Sequence, residues 1–211
     1  MTTIQSPPPA RTDTRPMRDA PTRRLSPTQL RVAGACTAVL LAVFALFTAM
    51  PWPADGDAYL GDDIAAVAYT ASLAIVIGIA LRGGAFGVRT AWRTVGIISF
   101  AVLLGTTAFL AVGPLMPATS LERAEQFLSP LTLGVFWLAA VGILTVGRWR
   151  GPARALPFLT ASWPMTVVGV VLVAGELGST AWLAFVIHLG VYQALTALAL
   201  IIDARRLAAA S

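Results

Sequence analysis

Six runs of 18 to 23 residues contain no Asp, Glu or Arg, and every charge in the chain falls between or outside them. Crossing a hydrocarbon core of about 30 Å takes about 20 helical residues at 1.5 Å each. A charge at the bilayer centre costs at least about 2.5 kcal/mol on insertion scales. Runs of that length and purity restrict the chain to an all-α, polytopic transmembrane bundle. The predicted spans are residues 32–50, 64–81, 94–115, 130–147, 156–174 and 180–202. A tail over 1–31 precedes them and a short tail over 203–211 follows.

The charges between the runs give an orientation. Fourteen of the fifteen basic residues, all of them Arg, fall on one side: six in residues 1–31, three in 82–93, three in 148–155 and two after residue 203. Arg123 alone falls on the other side, with seven of the ten acidic residues. The positive-inside rule then places both termini in the cytoplasm. Trp92 and Trp149 sit at the inner boundary and Trp52 and Trp182 at the outer one, as an aromatic belt requires. The formal net charge of +5 follows from this topology and does not indicate nucleic acid. An Arg-only basic set in an Ala-, Gly- and Val-rich chain suggests a high-GC bacterial genome, hence a bacterial plasma membrane.

Residues 1–31 hold six Pro and six Arg and almost no large apolar side chain. Too little surface can be buried there to offset the entropy of ordering, so disorder is expected. The acidic loop 51–63 lacks the glycine and terminal glutamate positions of an EF-hand. Asp62 and Asp63 suit a helix N-terminus, where the helix dipole favours negative charge. Thr119 and Glu122 fit a capping box for a short interfacial helix over 121–128, and Ser129-Pro130 fits the start of the fourth span. Pro164 is expected to kink the fifth span, with the hydroxyl of Thr160 or Ser162 satisfying the freed carbonyl.

Candidate chemistry centres on the last span. His188, Tyr192 and Thr196 are spaced four apart and share a helix face, continued outward by Ala181 and Ala184. An imidazole is costly against lipid, so this face should turn into the bundle. Glu176 lies in the preceding outer turn, at about a third of the depth of His188, and reads as an interfacial carboxylate. With a single His and a single Cys (Cys36), no metal site or bis-histidine haem site is expected, and no cofactor is predicted. No nucleophile elbow, zinc-protease helix, phosphate loop or dinucleotide fingerprint occurs.

Small residues recur at helical spacing, as in Gly34, Ala38, Ala42, Ala45 and Ala49 and again in Ala101 and Gly105, a pattern that lets transmembrane helices approach closely. Together these features predict a multi-pass, non-enzymatic membrane protein with the lipid bilayer as its solvent. It would act as an accessory or scaffold subunit beside a membrane-protein partner, or as a homo-oligomer. The alternative is a small transporter or a lipid- or small-molecule-binding protein with its site at His188, Tyr192, Thr196 and Glu176.

Overall fold

The computed structural model describes residues 25–49, 60–87, 89–115, 118–146, 149, 151–175 and 179–209. The tail up to residue 24, most of the acidic loop and Glu176 lie outside them. The described residues are helical: α1 Pro27–Thr48, α2 Leu60–Arg82, α3 Thr90–Val112 with a 3-10 turn at Gly113–Leu115, α4 Ala118–Val146, α5 Pro152–Ala161, α6 Trp163–Ala174 and α7 Ser179–Ala209. Five of these are long and apolar enough to cross a membrane, and α5 and α6 together form a sixth, bent by 51°. The bundle is thus an all-α transmembrane architecture.

Each helix packs on its neighbour in sequence, and α7 returns to lie against α1, closing a ring. The most enclosed of the long spans is α2. Its apolar window is 56% buried, against 28–39% for the other long spans. Its many alanines let neighbours approach from several sides; Leu73, Ala74, Val76, Ile77 and Ala80 are all buried. The outer surface is apolar, with Leu172, Val173 and Met165 of α6 among the most exposed side chains. In water such a surface would demand a partner; in a bilayer it faces lipid.

Helix ends differ from the sequence expectation in several places: α2, α3 and α5 each begin four residues early, α7 runs on to Ala209 through the expected tail, and two starts have a clear local cause. Helix α1 begins at Pro27, inside the segment expected to be disordered. Ser26 and Gln29 form a reciprocal capping box there: Gln29 N donates to Ser26 Oγ at 3.2 Å and Ser26 N donates to Gln29 Oε1 at 3.1 Å. Conversely, α4 does not begin at Pro130. It runs unbroken from Ala118 through Pro130 to Val146, and its apolar stretch starts at Phe127. Proline removes one main-chain bond, and a helix already under way on its N-terminal side tolerates that loss. Asp62 and Asp63 do occupy the first turn of α2.

One end of the bundle gathers Arg31, Arg82, Arg154 and Arg205. Leu30 and Ala33 of α1 share a buried cluster with Leu200 and Ala204 of α7, with Leu25, Ile79 and Trp149 packed against it. The four arginines flank this end in sequence. Arg154 Nε donates to the Leu144 carbonyl at 2.8 Å, placing a cation on the last turns of α4, where the helix dipole favours it.

Helix pairs are joined by close approach and by hydroxyls. Ser99 Oγ donates to the Val135 carbonyl at 2.8 Å, and Thr106 Oγ1 meets Thr132 Oγ1 at 2.8 Å, tying α3 to α4. Thr107 bonds Thr70 at 3.0 Å between α3 and α2. Such bonds contribute about 0.6 kcal/mol each on average in a bilayer. At Gly34 a Cβ would fall 2.6 Å from Ile201 Cγ1 and 2.9 Å from the Ala197 carbonyl oxygen, so α1 and α7 touch main chain to main chain there. Gly105, by contrast, is exposed with nothing within 4 Å of a built Cβ, so the Ala101–Gly105 pair faces outward.

Gly34→Val is expected to push α1 off α7 and lower stability by about 1–3 kcal/mol, the usual cost of overpacking. Gly105→Ala should cost nothing and can gain up to about 1 kcal/mol from helix propensity. Thermal unfolding of both variants in detergent checks the pair; equal midpoints would refute the close approach at Gly34.

Candidate functional site

The break between α5 and α6 leaves carbonyls of the last α5 turn without a continuing helix to supply donors. Pro164 contributes no N–H, and Ser162 closes the turn with φ −81° and ψ 10°. The Leu159 carbonyl receives three donors in place of the missing ladder bond: Ser162 N at 3.2 Å, Ser162 Oγ at 2.7 Å and His188 Nε2 at 2.7 Å. Ser162 thus places its hydroxyl on the Leu159 carbonyl and not on the Thr160 carbonyl, the one that Pro164 deprives of an N–H. Thr160 instead bonds its own preceding turn, at Leu156. The histidine is the partner that local reasoning about the kink did not include.

This contact fixes the imidazole. A carbonyl oxygen only accepts, so Nε2 carries a hydrogen. Nδ1 lies 2.8 Å from Thr166 Oγ1 on α6, and in the neutral tautomer the threonine hydroxyl donates to it. His188 thus bonds one residue on each side of the break, α5 through Leu159 and α6 through Thr166. The ring is 8% exposed, and both nitrogens have protein partners.

Tyr192 stacks one turn further on, its ring centroid 4.6 Å from that of His188 and tilted by 54°. It packs against the buried cluster of Ala153, Leu156 and Ala199. Thr196 is fully buried, and its hydroxyl returns to the Tyr192 carbonyl at 2.8 Å. The structure therefore brings His188, Tyr192 and Thr196 onto one inward face of α7. On that face only His188 reaches another helix through a hydrogen bond that the geometry resolves. Glu176 lies outside the described residues.

A neighbouring face of α7 carries a polar residue not singled out in the sequence. Gln193 is fully buried; its Nε2 donates to Ser72 Oγ at 3.2 Å, while Ser72 Oγ donates onward to the Tyr69 carbonyl at 2.7 Å. Gln193 Oε1 and Thr37 Oγ1 are buried without a hydrogen-bond partner. The available signal was a lone amide in the middle of an apolar run, five residues past the histidine. Among the described residues, no three His, Cys, Asp or Glu side chains come together.

His188→Ala removes two hydrogen bonds and a ring contact, and is expected to lower stability by about 2–4 kcal/mol. Thr166→Val, which breaks one of these bonds and strands Nδ1, should cost about 1–2 kcal/mol. Gln193→Leu discards an amide whose oxygen is already unpaired, so it should be near neutral or stabilising. Thermal melts of the three variants in one detergent test this order, and a wild-type melt for His188→Ala would remove the clamp from the account.

No family model matches the chain, and comparison with curated proteins and with solved structures likewise gives no match.

Proposed function

We propose that this is a non-enzymatic integral membrane protein that works by lateral association in the bilayer, first of all with a second copy of itself. The observation that carries the reading is a groove of about 730 Å³ along the α1–α7 seam. Its α1 wall is a row of exposed small residues, Ala38, Ala42, Ala45 and Ala49. Beside it, α7 raises a ridge of exposed Leu183, Ile187 and Val191. A two-fold operation lays the ridge of one protomer into the alanine trough of the other, giving a self-complementary interface. Small residues at such a contact let backbones approach closely enough for dispersion forces to act in a solvent that provides no hydrophobic drive.

The state of His188 supports the same reading. Both ring nitrogens are engaged by Thr166 and the Leu159 carbonyl, so the histidine serves the bend. The alternative of a ligand site at His188, Tyr192, Thr196 and Glu176 requires a ligand to displace one of those partners. A bound small molecule lost in His188→Ala would establish it.

The association is tested by oxidative cross-linking in native membranes, with Ala45→Cys on one protomer and Leu183→Cys on a co-expressed second, both in a Cys36→Ser background. The expected product runs at twice the 22.1 kDa monomer mass, and adding Ala42→Trp to fill the trough abolishes it. Gly105→Cys on the outer face of α3 serves as control. No product from the Ala45→Cys and Leu183→Cys pair, or an equal yield from the control, would sink the proposal.

A further inference from the structure

We infer that a second groove, between α1 and α3 over the face of α2, binds one anionic phospholipid of the leaflet at the arginine-rich end. The groove holds about 700 Å³, within the range of ligand sites. Ala74 and Gly78 of α2 form its floor, and Val32, Cys36, Phe100 and Leu104 its walls. It extends along α2 from Ala71 to Arg82, about 16 Å at 1.5 Å per residue. That is about half of a ~30 Å hydrocarbon core, the depth of one leaflet.

The two ends of the groove differ in chemistry. Its inner end is Thr107, whose hydroxyl is bonded to Thr70. Its mouth is Arg82, exposed at the end of α2, beside Ser26, Thr28 and Gln29 of the first turn of α1. Two sources of positive potential meet there, a guanidinium and a helix N-terminus. Arg82 is the only charged residue among the described residues lining the groove. An apolar channel one leaflet deep with a cation at its interfacial end is the complement of an acyl chain with a phosphate at its head. The α1–α7 groove makes the contrast: among the described residues no charged side chain lines it, so they suit an apolar helix face.

This inference is independent of self-association, and its test reads bound lipid instead of cross-linked protein. Purified protein is delipidated and titrated with phosphatidylglycerol or with phosphatidylcholine of the same acyl chains, and retained lipid is counted by native mass spectrometry. One lipid is expected, with phosphatidylglycerol favoured about fivefold, as one interfacial Arg contributes about 1 kcal/mol. Arg82→Gln should still retain lipid but lose the preference. To avoid a variant that fails to fold, the groove is blocked in the folded protein by coupling a bulky apolar maleimide to the single cysteine, Cys36, which is exposed there. That adduct should lose both lipids. Equal retention of the two lipids by wild type, retention that survives the adduct, or loss of a protein dimer instead of a lipid on coupling would each overturn the assignment.

Discussion

Inside a bilayer a main-chain carbonyl without a partner has no water to accept from, and this requirement governs how the bundle is assembled. Five long helices meet it largely within themselves, α4 giving up one bond at Pro130. The fifth span does not, because Ser162, Trp163 and Pro164 bend it by 51°. The Leu159 carbonyl is then served by Ser162 N and Oγ within the span and, from another helix, by His188 of α7. A bend in one element thereby dictates the position and rotation of another. Once His188 lies against Leu159 and Thr166, the next face of α7 presents Leu189, Gln193, Ala197 and Leu200 inward, and α7 closes the ring against α1.

The rest of the assembly depends on close approach, since apolar side chains gain little by leaving apolar lipid. The positions of contact are small: Gly34 against α7, Gly96 against Phe86 and Leu81, and Gly142 against Trp92. Hydroxyls contribute where they cross between helices, at Ser99, Thr106 and Thr107. The enclosed position of α2 follows from the same rule. A helix rich in Ala can accept neighbours around most of its circumference, and α2 takes α1, α3 and parts of α4 and α7.

The architecture was legible because the bilayer imposes a length and a polarity on every span, and both can be counted along the chain. The inward face of His188, Tyr192 and Thr196 was legible for the same reason, through the cost of a polar group in lipid. What could not be read were choices that depend on which helix lies opposite. Among the described residues Ser-Pro occurs at Ser26-Pro27 and at Ser129-Pro130, yet of these two only the first begins a helix. The difference is Gln29, which reciprocates the cap, while Ser129 follows a segment that is already helical. Ala101 and Gly105 have the spacing of a packing motif but face outward, because spacing identifies a face and not its neighbour. Gln193 passed unnoticed since its meaning comes from Ser72, 121 residues earlier.

Helix α1 is a wall of both surface grooves, and it is held at both ends. Near the arginine-rich end Gly34 abuts Ala197 and Ile201, and Leu25 reaches Gly83 beyond α2. Near the other end the Phe44 and Tyr69 rings stack at 5.2 Å. These contacts seat α1 between the two grooves. Selection between occupants then falls to the chemistry of the lining. Alanines and branched apolar side chains without a charge favour a packed helix. The same kind of channel ending in a guanidinium favours a chain with an anionic head. Two faces of one apolar helix can in this way serve two different kinds of neighbour, with Arg82 as the deciding difference.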